Sequence, residues 1–65
     1  MYTIRATVAT TQVELSAPTL GQLMDQSIRF FETCDEHTIT WRKGVAYLLV
    51  SIHGETILDT PIQKS

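Results

Sequence analysis

One stretch of this sequence, and only one, carries a helical period. It runs from Thr19 to Cys34, and the segments on either side of it alternate with a period of two. A lone amphipathic helix has to bury its apolar stripe against something, and the flanking strands are the only material available. The expected fold class is therefore α+β: a two-layer β-β-α-β-β-β order, an antiparallel sheet of about five strands, and one amphipathic helix packed on one face. With 65 residues, the chain reads as a single compact domain, 1–65.

The helix has a start signal. Thr19 follows Pro18 and stands three residues before Gln22, the spacing of a capping box. Leu20, Leu23, Met24, Ile28, Phe31 and Cys34 fall on one side, with Ser27 inside that stripe and Phe30 at its flank. Gly21, Gln22, Asp25, Gln26, Arg29 and Glu32 lie opposite, and Asp25 and Arg29 form an i, i+4 pair. The pattern predicts a helix over residues 19–34.

In residues 2–8, Tyr2, Ile4, Ala6 and Val8 alternate with Thr3, Arg5 and Thr7. After Ala9-Thr10-Thr11-Gln12 the apolar set becomes Val13 and Leu15. A hairpin pairing Val8 with Val13 and Ala6 with Leu15 keeps all four on one face. Thr-Thr is a poor centre for a tight turn, because β-branched residues resist positive φ, so a four-residue loop is expected.

Residues 38–43 alternate again, and Lys43-Gly44 and His53-Gly54 read as two-residue turns. Between them, residues 45–52 are apolar on nearly both faces, as in a central strand. Residues 55–59 make a short last strand, which Pro61 should stop from continuing inside a sheet. The expected registers place Trp41 opposite Ala46, Ile39 opposite Leu48, and Val50 opposite Ile57. They send Tyr2, Ile4, Ala6, Val8, Val13, Leu15, Ile39, Trp41, Ala46, Leu48, Val50, Ile52 and Ile57 toward the helix.

The same register leaves the other side of the sheet without a lid. Val45, Tyr47, Leu49 and Leu58 should lie there among Thr3, Arg5, Thr7, Thr38, Thr40, Arg42, Ser51 and Thr56. An apolar patch with a polar rim marks an interface, and Tyr beside Arg is common interface chemistry. The plainer alternative is that the chain termini or a strong twist cover the patch. A second candidate is the acidic group Glu32, Asp35 and Glu36 at the helix C-terminus, where the macrodipole disfavours negative charge. It could dock on a basic surface, or simply be solvated loop.

Other chemistry is poorly represented. One cysteine cannot form an internal disulfide, and a lone thiol suits a reducing compartment. Cys34, His37 and His53 lack a fourth ligand for zinc, so no metal and no cofactor are expected. A thiol at a helix C-terminus is poorly placed to be a nucleophile. No glycine-rich phosphate loop, Ser/His/Asp set or carboxylate dyad is present, so no catalytic residue is assigned. Five basic residues against seven acidic ones, a net charge of −2, argue against a phosphate-backbone binder. No apolar run approaches the ~20 residues needed to cross a bilayer, and the first residues do not read as a signal peptide. The location expected from this pattern is cytoplasmic.

These observations together imply a protein that acts by contact, without catalysis. The partner-binding residues expected are Tyr47, Leu49, Leu58, Arg42, Thr40 and Arg5 on the open face, with Glu32, Asp35 and Glu36 at the helix end. A small module of this kind fits an inhibitor or accessory regulator that masks a site on a larger protein assembly; phage- and plasmid-encoded inhibitors of host defence are one such group. Two alternatives use the same face. One is single-stranded nucleic-acid binding, with Arg5, Arg42 and Lys43 around Tyr47. The other is a homodimeric regulatory subunit, in which a partner copy supplies stability that so small a core lacks.

Overall fold

The computed structural model describes all residues, Met1–Ser65. It is an α+β fold made of two antiparallel three-stranded sheets and one helix. The strands are β1 (Tyr2–Val8), β2 (Thr11–Ala17), β3 (Glu36–Arg42), β4 (Val45–Ile52), β5 (Glu55–Pro61) and β6 (Gln63–Lys64), with α1 (Leu20–Phe30) between β2 and β3. One sheet has the order β2-β1-β6 and the other β3-β4-β5.

The single sheet expected from the sequence is thus divided, and Pro61 and Ile62 show how. Pro61 stands opposite Tyr47, and the next residue, Ile62, donates its N–H to the Ala46 carbonyl at 2.8 Å. Hydrogen-bonded and non-bonded pairs alternate in an antiparallel ladder, so the proline nitrogen points away from β4 and removes no ladder bond. The last strand therefore does not stop at residue 59. It passes Pro61, and the following residues, Gln63 and Lys64, pair instead with Thr3 and Tyr2 of β1. The chain leaves one sheet and joins the other at Ile62, a buried residue. Above that junction β5 and β1 are held together by side chains, one contact being the Thr60 hydroxyl donating to the Arg5 carbonyl at 3.5 Å.

The β3–β4 hairpin has the expected register: Trp41 faces Ala46 and Ile39 faces Leu48. Lys43-Gly44 and His53-Gly54 both turn with positive φ, Gly44 at 79° and Gly54 at 77°, the conformation a tight hairpin requires. The β1–β2 register differs from expectation by two residues. Ala6 pairs with Val13 and Val8 with Thr11, leaving only Ala9-Thr10 as the loop. Ala9 takes φ 55°, so the tight turn is made at an alanine. A shift of two conserves parity, and the apolar residues still share one face.

The second departure is in β5. A bulge between Val50 and Ser51 places Leu58, not Ile57, opposite Val50. One extra residue reverses the facing of everything beyond it. Leu58, expected on the open face, is 4% exposed in the core, and Asp59 takes its place outside.

The helix begins as expected. The Thr19 hydroxyl accepts from the Gln22 N–H at 3.1 Å, although the Gln22 side chain returns to that hydroxyl instead of to the Thr19 backbone. It ends at Phe30, one turn earlier than residue 34. Glu32 is ill-suited to a helix C-terminus and Thr33 is β-branched. The Phe31 carbonyl finds the His37 ring Nε2 at 3.1 Å. The core gathers Ile4, Val13, Ala17, Leu23, Phe31, Ala46, Leu48, Val50, Leu58 and Ile62, with Leu20, Met24, Cys34, Ile39 and Ile57 packed against it. Ile28 and Phe30, at the margin of the helical stripe, stay about half exposed. Ser27 is fully buried and its hydroxyl has no partner.

Candidate functional site

The β3-β4-β5 sheet has two unlike faces. Its inner face carries Ala46, Leu48 and Val50 of β4, all buried in the core. Its outer face carries Val45, Tyr47 and Leu49 from the same strand. No helix or second sheet is packed over them: Val45 is exposed, and Tyr47 and Leu49 are half-buried among their strand neighbours. Cross-strand pairing sets those neighbours. Tyr47 lies between Thr40 and Pro61, and Leu49 between Thr38 and Asp59.

Arg42 organises this face. Its guanidinium sits 4.5 Å from the Tyr47 ring centroid. Nη2 donates to both carboxylate oxygens of Asp59, at 3.1 and 2.9 Å. The arginine thus reaches from β3 over the ring on β4 to the acid on β5. Both charged partners remain substantially solvated, so the ion pair adds under about 1 kcal/mol to stability. Its larger effect is to fix the direction of a long side chain and hold a cation on the ring face. Thr40, between them, has a shielded hydroxyl oxygen with no hydrogen-bond partner.

Of the residues the sequence nominates, Thr40, Arg42, Tyr47 and Leu49 are brought together on this face. Leu58 is not, for the reason given above. Arg5 lies on the other sheet, where Nε donates to Glu14 Oε2 at 2.7 Å across the β1–β2 pair. Glu32, Asp35 and Glu36 are exposed at the end of β3 opposite to Arg42. Asp35 Oδ2 accepts from the His53 N–H at 3.2 Å, which ties the helix exit to the β4–β5 turn. Cys34, His37 and His53 do not converge as a ligand set.

Two features of the site were not foreseen. Asp59 enters the face only because of the bulge, which no alternation pattern announces. Trp41 has the expected parity and pairs with buried Ala46, yet it is 64% exposed. The helix does not cover the far end of β3, so the indole overhangs a shallow depression of about 370 Å³ bordered by Tyr2, Val45, Ile62 and Lys64. Lys64 Nζ stands 5.7 Å from the Tyr2 ring centroid there. The charges are also sorted by position: Arg42 and Lys43 lie at one end of β3, and Glu32, Asp35 and Glu36 at the other.

No helix is long and apolar enough to cross a membrane. Compared with protein families, with curated proteins and with solved structures, the chain matches none.

Proposed function

We propose that this chain is a non-catalytic protein-binding module whose contact surface is the outer face of β3-β4-β5. The observation that carries the reading is the half-buried pair Tyr47 and Leu49, which no further layer covers, framed by Thr38, Thr40, Arg42 and Asp59. An aromatic ring with an oriented arginine over it, at the centre of a polar-rimmed apolar patch, has the composition of a binding hot spot. A partner that covers this face gains apolar contact with Leu49 and Tyr47, and the solvated Arg42–Asp59 pair supplies directional polar contacts at the rim. Masking a site on a larger assembly is the mode of action that suits a module presenting one face.

Affinity capture with the tagged wild-type chain, compared with Tyr47→Ala and Leu49→Asp, tests this. Both variants are expected to keep the wild-type circular dichroism and to lose the bound protein. A partner retained by both folded variants removes the outer face from the account.

A further inference from the structure

We propose that β3 is a self-pairing edge, through which two copies of this chain join their β3-β4-β5 sheets into one. The inference goes beyond the outer-face reading. It concerns the rim of the sheet; Arg42 belongs to both, whereas Glu36, at the other end of β3, belongs to the rim alone, so Glu36→Arg separates the two.

β3 is one of the two terminal strands of its sheet; the other, β5, lies beside β1. In a two-residue hairpin the residues flanking the turn, here Arg42 and Val45, form a hydrogen-bonded pair, and bonded and non-bonded pairs alternate from there. Ile39 and Trp41 are then non-bonded toward β4, and so is His37, so their N–H and C=O groups point outward. The Ile62 N–H on the Ala46 carbonyl confirms the phase, because Ala46, opposite Trp41, directs its backbone away from β3. None of the hydrogen bonds outside the ladders reaches the backbone of His37, Ile39 or Trp41.

The two outermost strands are treated differently. On β2 the helix reaches over, and Gln26 Nε2 donates to the Ser16 carbonyl at 2.7 Å. The middle of that strand carries a charge, Glu14. β3, Glu-His-Thr-Ile-Thr-Trp-Arg, has no proline, no lysine and no bulge, the usual means of protecting an edge.

Its sequence also fits itself. Antiparallel pairing about Ile39 sets Glu36 opposite Arg42 of the second copy, and Arg42 opposite that copy's Glu36. It places Thr38 opposite Thr40, Ile39 opposite Ile39, and His37 opposite Trp41, which gives the exposed indole a neighbour. In that register the outward groups of residues 37, 39 and 41 bond to one another across the two-fold axis. The sorted charges then meet in opposite sign at both ends: Glu36 of the second copy joins Asp59, which already holds Arg42 Nη2, and Asp35, whose Oδ2 accepts from the His53 N–H, lies next to Lys43 of the second copy. This charge complementarity identifies the occupant of the edge as another copy of the chain.

The test is the mass in solution by sedimentation equilibrium, for the wild type and two charge reversals. The wild type is expected at twice 7.3 kDa in the concentration range of about 0.1–1 mM. Glu36→Arg and Arg42→Glu each turn two attractive cross-strand pairs into repulsive ones, so each alone should self-associate about tenfold more weakly or less still. Mixed, the two variants should form a heterodimer, since every arginine then faces a glutamate. That rescue is something a merely misfolded variant cannot give. A wild-type monomer at ~1 mM would overturn the proposal. So would a dimer indifferent to both reversals, or one that Leu49→Asp abolishes while the reversals leave it intact.

Discussion

Leu48 and Leu49 are neighbours on β4 with identical side chains, and they meet opposite environments. Leu48 is fully buried, between Ile39 and Thr60. Leu49 faces outward, between Thr38 and Asp59, with no layer above it. Hydrophobicity alone therefore does not assign a role on this strand. The inner residues hold the molecule together, and the outer ones are apolar without that need. An apolar side chain that the fold does not require is the one to examine for contact with something else.

Substitutions on β4, and at Arg42 of β3, test this contrast. The largest effect is expected for Leu48→Ala, which leaves a cavity where α1 and both sheets meet; the cost should be about 2–5 kcal/mol by chemical denaturation, enough to unfold much of the population. Leu49→Ala should cost under about 1 kcal/mol in the same assay, because the truncated side chain opens no enclosed cavity. Equal losses for the two would mean that the outer face is packed. The smallest effect belongs to Arg42→Gln. It removes the Asp59 ion pair and the cation over Tyr47, yet should lower stability by no more than about 1 kcal/mol. A larger loss would make the rim of this face a structural element instead of a solvated one.

Much of this was legible in the sequence because several independent signals agreed on the β3–β4 hairpin. Gly44 and Gly54 fixed two tight turns, and alternation on both sides of Lys43-Gly44 led to one register, which the structure has. Thr19 and Gln22 marked the helix start for the same reason, a side chain matched to an unsatisfied backbone group. The remainder depended on choices that leave little trace in a pattern. Ala9 accepts a positive φ that an alanine ordinarily resists, which shortens the first loop by two residues. The bulge opposite Val50 and Ser51 leaves Ile57 as the extra residue of β5 and exchanges Leu58 for Asp59 on the outer face, so one nominated site residue is lost and the arginine's partner is gained. The crossing from β5 to β6 runs through Pro61, whose missing N–H reads as a stop, whereas its position in the ladder makes it harmless to β4. Trp41 shows a further limit: parity reveals which side of a strand a residue faces, and the length of the helix determines whether anything is there to cover it.

The outer face of β4 is open to solvent while its inner face is core. A soluble gadolinium chelate added to methyl- and ring-labelled protein tests this directly by NMR. Strong relaxation is expected for the Leu49 methyls and the Tyr47 ring, with the Leu48 and Val50 methyls scarcely affected. Protection of Leu49 and Tyr47 equal to that of Leu48 would contradict it.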